Sequence, residues 1–358
     1  VPQISVILGS CAGGAVYSPA LTDFVFMVKD ISLMFVTGPD VIKTVTGEEV
    51  TKEMLGSADL HASQTGAAHF VANSEEECMK MVRKLLSYLP LNSLEQPPRL
   101  HMGDRVDRTD DALRHVVPVN SAKSYDVLRI IRKIIDQGDF LEVHARFARN
   151  ICIGFARMDG ETVGIIANQP IHMAGCLDIN ASVKAARFIR FCDAFNIPLL
   201  TFVDCPGYLP GTQQEQGAII RHGAKLLYAY AEATVPKLTI VVRKAYGGAY
   251  SAMCAQGLGA DFIVALPTAE FGVMGPEATV NLLFANEVAQ AENPETRREE
   301  LIGVLRERYS HPYGPAAVGI INDIIDPSVL RPHLINHLNT YRNVKRTLPP
   351  KKHGNIPL

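Results

Sequence analysis

Short apolar runs alternate with longer stretches of helical spacing along this chain. Ile4-Ser5-Val6-Ile7-Leu8, Ile151 to Phe155, Thr162 to Ala167, Pro198 to Val203 and Leu238-Thr239-Ile240-Val241-Val242 are nearly unbroken and rich in β-branched residues. Runs of that length read as strands of a buried sheet rather than as helices. Asp159-Gly160 punctuates two of them as a turn. Helices are predicted over Ser74 to Leu89, Ser182 to Phe195, Gln214 to Ala233, Asn293 to Arg308 and Ser328 to Asn343. Thr46-Gly47-Glu48-Glu49-Val50-Thr51 reads as a capped helix start with solvated carboxylates. Strands and helices in alternation imply layered α/β architecture.

The order of these elements repeats. The strand Ile4 to Leu8 leads to Gly13-Gly14-Ala15, then Asp23-Phe24-Val25-Phe26, then Val36-Thr37-Gly38-Pro39-Asp40. The same series returns as Leu238 to Val242, Gly247-Gly248-Ala249, Asp261-Phe262-Ile263-Val264 and Val273-Met274-Gly275-Pro276-Glu277. The offset is 234 positions at the glycine pair and 237 at Gly-Pro, a drift that small loop indels explain. One Gly-Gly-Ala is a common turn; its return between matching elements in matching order indicates a duplicated domain. Elements of the second copy begin near residue 147, so the first copy is expected to start about ninety residues before Val1, with its front half missing. A Pro-rich segment, Pro90 to Arg99, and the charged stretch Gly103 to Asp111 place the boundary near Gln96 to Arg108, giving units of 1–100 and 101–358. A basic tail, Lys345 to Leu358, closes the chain.

The duplicated glycine turns are the main candidate chemistry. In each, a strand delivers the chain to a helix start, where backbone N–H groups lack helical partners and can hold an oxyanion. Glycine also permits unusual φ and lets a ligand carbonyl come close. The alternative is that these glycines only allow tight strand-to-helix packing. A second candidate is the loop Asp204-Cys205-Pro206-Gly207-Tyr208-Leu209-Pro210-Gly211, which follows a buried strand, where open α/β sheets bind ligands. It could equally be a stiff structural turn.

Other chemistry falls away. Gly9-Ser10-Cys11-Ala12-Gly13 puts serine one place too early for a nucleophile elbow, and no P-loop, dinucleotide fingerprint or H-E-x-x-H occurs. Cys11 reads as a packed thiol rather than a reactive one, and His222 and His311 as surface or hydrogen-bonded residues. The 358 residues are 47% hydrophobic, a globular composition, and 37 acids against 35 bases leave no global excess of charge to hold nucleic acid or an anionic membrane. Seven scattered cysteines, never spaced C-x-x-C, argue for a reducing compartment and against a disulfide framework or a zinc site. The apolar run Ile4 to Val16 lacks a basic flank and is too short to span a bilayer, so it reads as a buried strand entering a turn.

Four segments carry a family resemblance: Cys11-Ala12-Gly13-Gly14-Ala15-Val16-Tyr17-Ser18-Pro19-Ala20, Val203 to Gly211, Arg243-Lys244-Ala245-Tyr246-Gly247-Gly248-Ala249-Tyr250, and His353-Gly354-Asn355-Ile356-Pro357-Leu358. The chain resembles, over essentially its whole length, the carboxyltransferase (β) subunits of biotin-dependent acyl-CoA carboxylases, a group that includes transcarboxylase cores and sodium-pumping decarboxylases. The resemblance implies an α/β fold of two crotonase-like superhelix domains, the first truncated. It also implies transfer of CO2 from carboxybiotin to the α-carbon of an acyl-CoA through an enolate. Carried over by motif, the amides of Gly13 and Gly14 would hold the thioester oxygen, and those of Gly248 and Ala249 the ureido oxygen of biotin. Ala12, Tyr17 and Ser251 would contact the acyl substrate, and Gly207, Tyr208, Gly247 and Tyr250 the biotin. Ser251 stands where the family commonly has aspartate or a larger apolar residue, which leaves the acyl preference open. The implied partners are a biotin carboxylase and a biotin carrier subunit, with no metal in this chain and six copies as stacked trimers. The implied location is bacterial cytoplasm, or mitochondrial matrix in a eukaryote. Two rivals stay open: a biotin-free hydratase or isomerase, for which Glu215 and Glu277 are the nominated acids, and a non-catalytic scaffold.

Overall fold

The computed structural model describes residues 1–344 and 346–357; Lys345 and Leu358, the ends of the basic tail, lie outside the described residues. The first repeat contributes β1 (Ile4–Ile7), β2 (Ser10–Ala12), β3 (Phe24–Val28), β4 (Leu33–Phe35) and β5 (Phe70–Ala72). β1, β3 and β5 form a parallel three-stranded sheet in that order, and β2 pairs β4 separately. The second repeat contributes β6 (Leu141–Val143), β7 (Ile151–Met158), β8 (Glu161–Asn168), β9 (Leu199–Cys205), β10 (Lys237–Tyr246), β11 (Phe262–Ala265), β12 (Glu270–Gly272) and β13 (Asp323–Ile324). Their order is β13-β11-β10-β9-β8-β7-β6, with β12 also on β10.

The repeat read from the sequence is a repeat of topology. β10 shifts register between Val241 and Ala245, so its first half pairs β11 and its second half pairs β12. In the first copy the same two halves are the separate strands β1 and β2, which pair β3 and β4. β5 then takes the place of β13.

Side-chain alternation in β7 assigns its two faces. Ile151, Ile153 and Phe155 join one core with the Ile179–Ala194 and Ile219–Glu232 helices, whereas Cys152, Ala156 and Met158 join another with Leu128–Ile134 and Leu330–Tyr341. Both faces are therefore covered, which is why these strands read as unbroken apolar runs. The first core continues into the first repeat. Phe24 of β3 meets Phe155 at 6.0 Å and Phe191 at 4.7 Å between ring centroids, so the two repeats share one interior. Phe155 is fully buried at that junction; Phe155→Ala is expected to cost about 3–5 kcal/mol in equilibrium urea unfolding.

Four local expectations change. β1 is half-buried rather than buried, with β3 its single strand partner among the described residues. Gln214 to Ala233 is two helices, Thr212–Gln216 and Ile219–Glu232, because Ala218 takes a left-handed φ of 68° that breaks the i→i−4 ladder. Thr46 to Thr51 is a helix end: Gly47, at φ 78°, closes the Pro39–Thr46 helix, and the next helix starts at Thr51, whose hydroxyl accepts from the Met54 N–H at 3.2 Å. Ser328 to Asn343 is a 3-10 turn, Pro327–Val329, followed by the Leu330–Tyr341 helix. The hairpin turn is as expected, with Asp159 and Gly160 at φ 53° and 78°, the pair of positive φ that a tight two-residue turn demands. The bridge between the repeats is pinned to the second core: the Leu100 N–H donates to the Gly160 carbonyl at 2.9 Å, and Arg108 donates to the Lys133 carbonyl at 2.7 Å.

Where the repeats meet, His69 and His144 are buried and stacked, with ring centroids 4.2 Å apart. Burial keeps both neutral, and with nearby Lys184 it pushes His144 down to about 3. An unfolded histidine titrates near 6.5, so the unfolded chain binds more protons than the folded one between that value and about 3. Stability is therefore expected to fall as pH drops below about 6.5, read as a lower urea midpoint at pH 5 than at pH 7, with a smaller drop in His69→Phe.

Candidate active site

The site is built on three neighbouring parallel strand ends. Strands β8, β9 and β10 each finish an apolar run with a buried polar residue: Asn168, Asp204 and Arg243. Arg243 Nε donates to Asp204 Oδ2 at 3.0 Å and the Lys244 N–H to Asp204 Oδ1 at 3.1 Å. The Asp204 N–H donates to Asn168 Oδ1 at 3.3 Å, and Asn168 Nδ2 donates to the Gly175 carbonyl at 3.1 Å. Burial raises the Asp204 carboxyl and the Arg243 charge opposes the rise, so the pair is a dry one. Arg243 also donates to the Lys123 carbonyl at 2.8 Å. The reading of the sequence missed this clamp; the available signal was that three buried runs each end on a polar residue.

Above the clamp lies the loop Asp204 to Gly211. The Leu177 N–H donates to the Gly207 carbonyl at 3.1 Å, and the Leu209 N–H donates to the Leu177 carbonyl at 2.7 Å, so backbone pairing holds the loop against the segment after β8. That segment is unusual in itself: Met173, Ala174 and Gly175 all have positive φ, and a Cβ at Gly175 would come within 2.4 Å of the Asp204 carbonyl oxygen. Strained backbone of this kind clusters at functional sites.

The two glycine turns have the same internal division of labour. Ala12 and Tyr246 are extended (φ −134° and −111°), and the first glycine of each pair then turns left-handed, Gly13 at 67° and Gly247 at 55°. The second glycine, Gly14 or Gly248, has an ordinary φ and open space before it, with no heavy atom within 4 Å of an added Cβ. The first glycine serves the turn; the second leaves room for something to approach. Gly247→Ala is therefore expected to cost about 1–3 kcal/mol, since its Cβ would also sit 2.9 Å from the Val273 carbonyl oxygen, whereas Gly248→Ala should be near neutral in thermal unfolding.

Other candidate residues have mixed placements. Ala249 is buried, and Ser251 is exposed on the same short helix. Tyr250 packs edge-on against Phe271 at 5.4 Å, and burial lifts its phenol to about 12. Tyr208 is half-buried and lies over Gly223, where a Cβ would stand 3.1 Å from its hydroxyl; burial likewise lifts it to about 12. Both tyrosines thus support the site's walls as neutral rings. Tyr17 is exposed and lines an apolar cleft of about 500 Å³ with Val16, Phe35, Ile42 and Leu55, beside Gly13 and Gly14. Ala12 ends β2 at the mouth of that turn. Gly207, Tyr208 and the residues from Gly247 to Ser251 thus follow the C-terminal ends of the neighbouring strands β9 and β10, while Ala12, Gly13, Gly14 and Tyr17 follow strands of the first repeat. Among the described residues no hydrogen bond joins the two groups.

The acids nominated for proton transfer are not held in a dry pocket. Glu215 is exposed, and Glu277 is paired with Arg306 at the surface. His222 is kept below the usual histidine range by burial, with Lys225 and Arg221 adding to the shift. Among the described residues no three metal-ligating side chains converge, the cysteines are unpaired, and no helix is long and apolar enough to cross a membrane.

The duplicated sheet-and-helix unit has the crotonase fold of a carboxyltransferase. The chain belongs to the family described as carboxyl transferase domain, which matches residues 1–356. It is 56% identical over 358 residues to the propionyl-CoA carboxylase carboxyltransferase subunit of Haloferax mediterranei, covering all of this chain and 69% of that one. It is 54% identical to the methylmalonyl-CoA decarboxylase subunit alpha of Veillonella parvula, with the same coverage of 100% and 69%. Among solved structures, the transcarboxylase 12S hexamer with methylmalonyl-coenzyme A and methylmalonic acid bound superposes with a TM-score of 0.95 at 52% identity, covering 100% of this chain and 68% of that one. The protein is an acyl-CoA carboxyltransferase of the propionyl-CoA carboxylase and transcarboxylase group.

Proposed function

We propose that this chain binds the acyl thioester at its first glycine turn and biotin at its second, moving CO2 between them. The observation that supports the reading is the open space before Gly14 and Gly248, each behind a left-handed glycine at the start of a short helix, where backbone N–H groups lack helical partners. Carboxybiotin, brought by a carrier subunit, supplies the CO2 and the base for the α-proton. The chain's own part is electrostatic. Gly13 and Gly14 N–H groups hold the thioester oxygen as negative charge develops, and Gly248 and Ala249 N–H groups hold the ureido oxygen. One such donor is worth about 3 kcal/mol of barrier. The Asn168–Asp204–Arg243 clamp holds Gly207 and the second turn in register, so that the donors need not reorganise during reaction.

Because the two turns lie on separate sheets, we place each complete site between protomers of a hexamer of stacked trimers. Exposed apolar residues near both turns, Tyr17, Val36 and Val41 in one copy and Val273, Leu282 and Leu283 in the other, support that placement. A reducing compartment, bacterial cytoplasm or mitochondrial matrix, fits the unpaired cysteines. Ser251, exposed two residues beyond Ala249, is the proposed acyl-selecting position.

The test is formation of malonyl- or methylmalonyl-CoA from a panel of acyl-CoAs with carboxybiotin, using Ser251→Asp beside the natural chain. A changed acyl preference supports the assignment. Turnover of an enoyl-CoA without biotin would replace it with the hydratase reading.

A further inference from the structure

Two glycines from different elements of the second repeat make room for the loop that carries Gly207. Gly175, after β8, is the first: a Cβ there would come within 2.4 Å of the Asp204 carbonyl oxygen. Gly223 is the second, and it lies under Tyr208. The three heavy atoms nearest to an added Cβ at Gly223 all belong to the tip of the Tyr208 ring, Oη at 3.1 Å and Cε1 and Cζ at 3.2 Å.

Gly223 is buried at the fifth position of the Ile219–Glu232 helix, which is 14 residues long. Its φ is not left-handed, so the backbone does not require glycine there. In a helix interior glycine is a less stable choice than alanine, because it loses more chain freedom on folding. The physical reason for this glycine is therefore the missing side chain, which leaves space for the Tyr208 ring. The loop is fixed on both sides of that ring. The Leu177 N–H donates to the Gly207 carbonyl at 3.1 Å, and the Leu209 N–H donates to the Leu177 carbonyl at 2.7 Å. The Tyr208 hydroxyl is closed off from solvent, although the residue as a whole is half-buried, so the tip of the ring is inserted while part of it stays in view. Carbon atoms pack best at about 3.5–4.0 Å, so a methyl group at position 223 would push the ring off the helix by a few tenths of an ångström.

We propose that Gly223 is a positioning residue for carboxyl transfer: it sets the depth of the Tyr208 ring and thereby the wall against which biotin rests. The inference builds on the placement of biotin at the second glycine turn given under the proposed function. Gly223 has no side chain with which to touch a substrate, so its effect runs entirely through Tyr208.

The experiment compares Gly223→Ala with the natural residue in the full protein, assayed for carboxyl transfer from malonyl- or methylmalonyl-CoA to free biotin, with KM read separately for each substrate. The KM for biotin is expected to rise at least about fivefold, and that for the acyl-CoA to stay unchanged, since displacements well under 1 Å at a positioned group already weaken productive binding. Urea unfolding gives a second reading that needs no turnover. Leucine at position 208 lacks the three ring atoms, so Gly223→Ala should raise the urea midpoint in a Tyr208→Leu background, by the ordinary advantage of alanine in a helix, and fail to raise it with Tyr208 in place. An unchanged KM for biotin, a rise shared equally by both substrates, or an equal gain in midpoint in both backgrounds overturns the inference. Gly248→Val separates this from the reading beneath it. If that variant still transfers, biotin does not use the second turn and the reading itself fails; if it is inactive while Gly223→Ala keeps the natural KM for biotin, only the positioning role fails.

Discussion

Gly248→Val is expected to abolish carboxyl transfer while leaving the protein folded. The position has an ordinary φ, and a Cβ there meets no atom within 4 Å, so the first atom of the new side chain has open space. The isopropyl group would instead fill the space that the proposed mechanism gives to a ligand oxygen at the Gly248 and Ala249 N–H groups. Loss of one backbone donor of this kind lowers turnover by roughly 10²–10³, and steric blockade should exceed that. Partial reactions divide the roles: Gly248→Val should stop decarboxylation of carboxybiotin, and Gly14→Val should stop α-proton exchange of the acyl-CoA while sparing the biotin half. Far-ultraviolet circular dichroism and thermal unfolding close to those of the natural chain complete the expected result. Full transfer activity in Gly248→Val would remove the second glycine turn from the mechanism.

Arg243→Met is expected to have the largest effect on stability of any single change near the site. The Arg243 and Asp204 side chains are 4% and 1% exposed, so removing the guanidinium leaves a carboxylate buried without its counter-charge. Breaking one partner of a buried pair costs about 3–5 kcal/mol. Because Asp204 also takes the Lys244 N–H and is tied through its own N–H to Asn168, the loss should spread to the Gly207 loop and the second glycine turn. The double change Asp204→Leu with Arg243→Met should cost less than the sum of the two single changes, because it leaves no orphaned charge. Denaturant midpoints for the three variants measure the coupling, and a strictly additive result would mean that the two side chains do not act as a pair.

Much of the architecture was legible because it is governed by local rules. The unbroken apolar runs of the second repeat became strands covered on both faces, since a strand buried on both sides has no polar face to display. The Asp159-Gly160 turn was legible because few residues tolerate two positive φ values in succession. The duplicated glycine turns were legible by recurrence, and the left-handed φ at Gly13 and Gly247 shows why glycine stands at those points. The helix break at Ala218 was not legible, since alanine is a good helix former and nothing local forces its left-handed φ. The roles within Thr46 to Thr51 were misread because Thr-Gly-Glu-Glu fits a helix start and a helix end equally well, and only the φ of Gly47 separates them.

What the sequence by itself determined is the set of elements, their order and their duplication, because propensity, periodicity and turn chemistry act over a few residues. Only the tertiary structure decided which glycine of each pair bends the chain and which stands clear, because that depends on atoms from distant segments such as the Val273 carbonyl. It likewise decided that Asn168, Asp204 and Arg243 converge, and that His69 and His144 stack where the repeats meet. Such contacts join residues tens of positions apart, and no local pattern along the chain encodes their meeting.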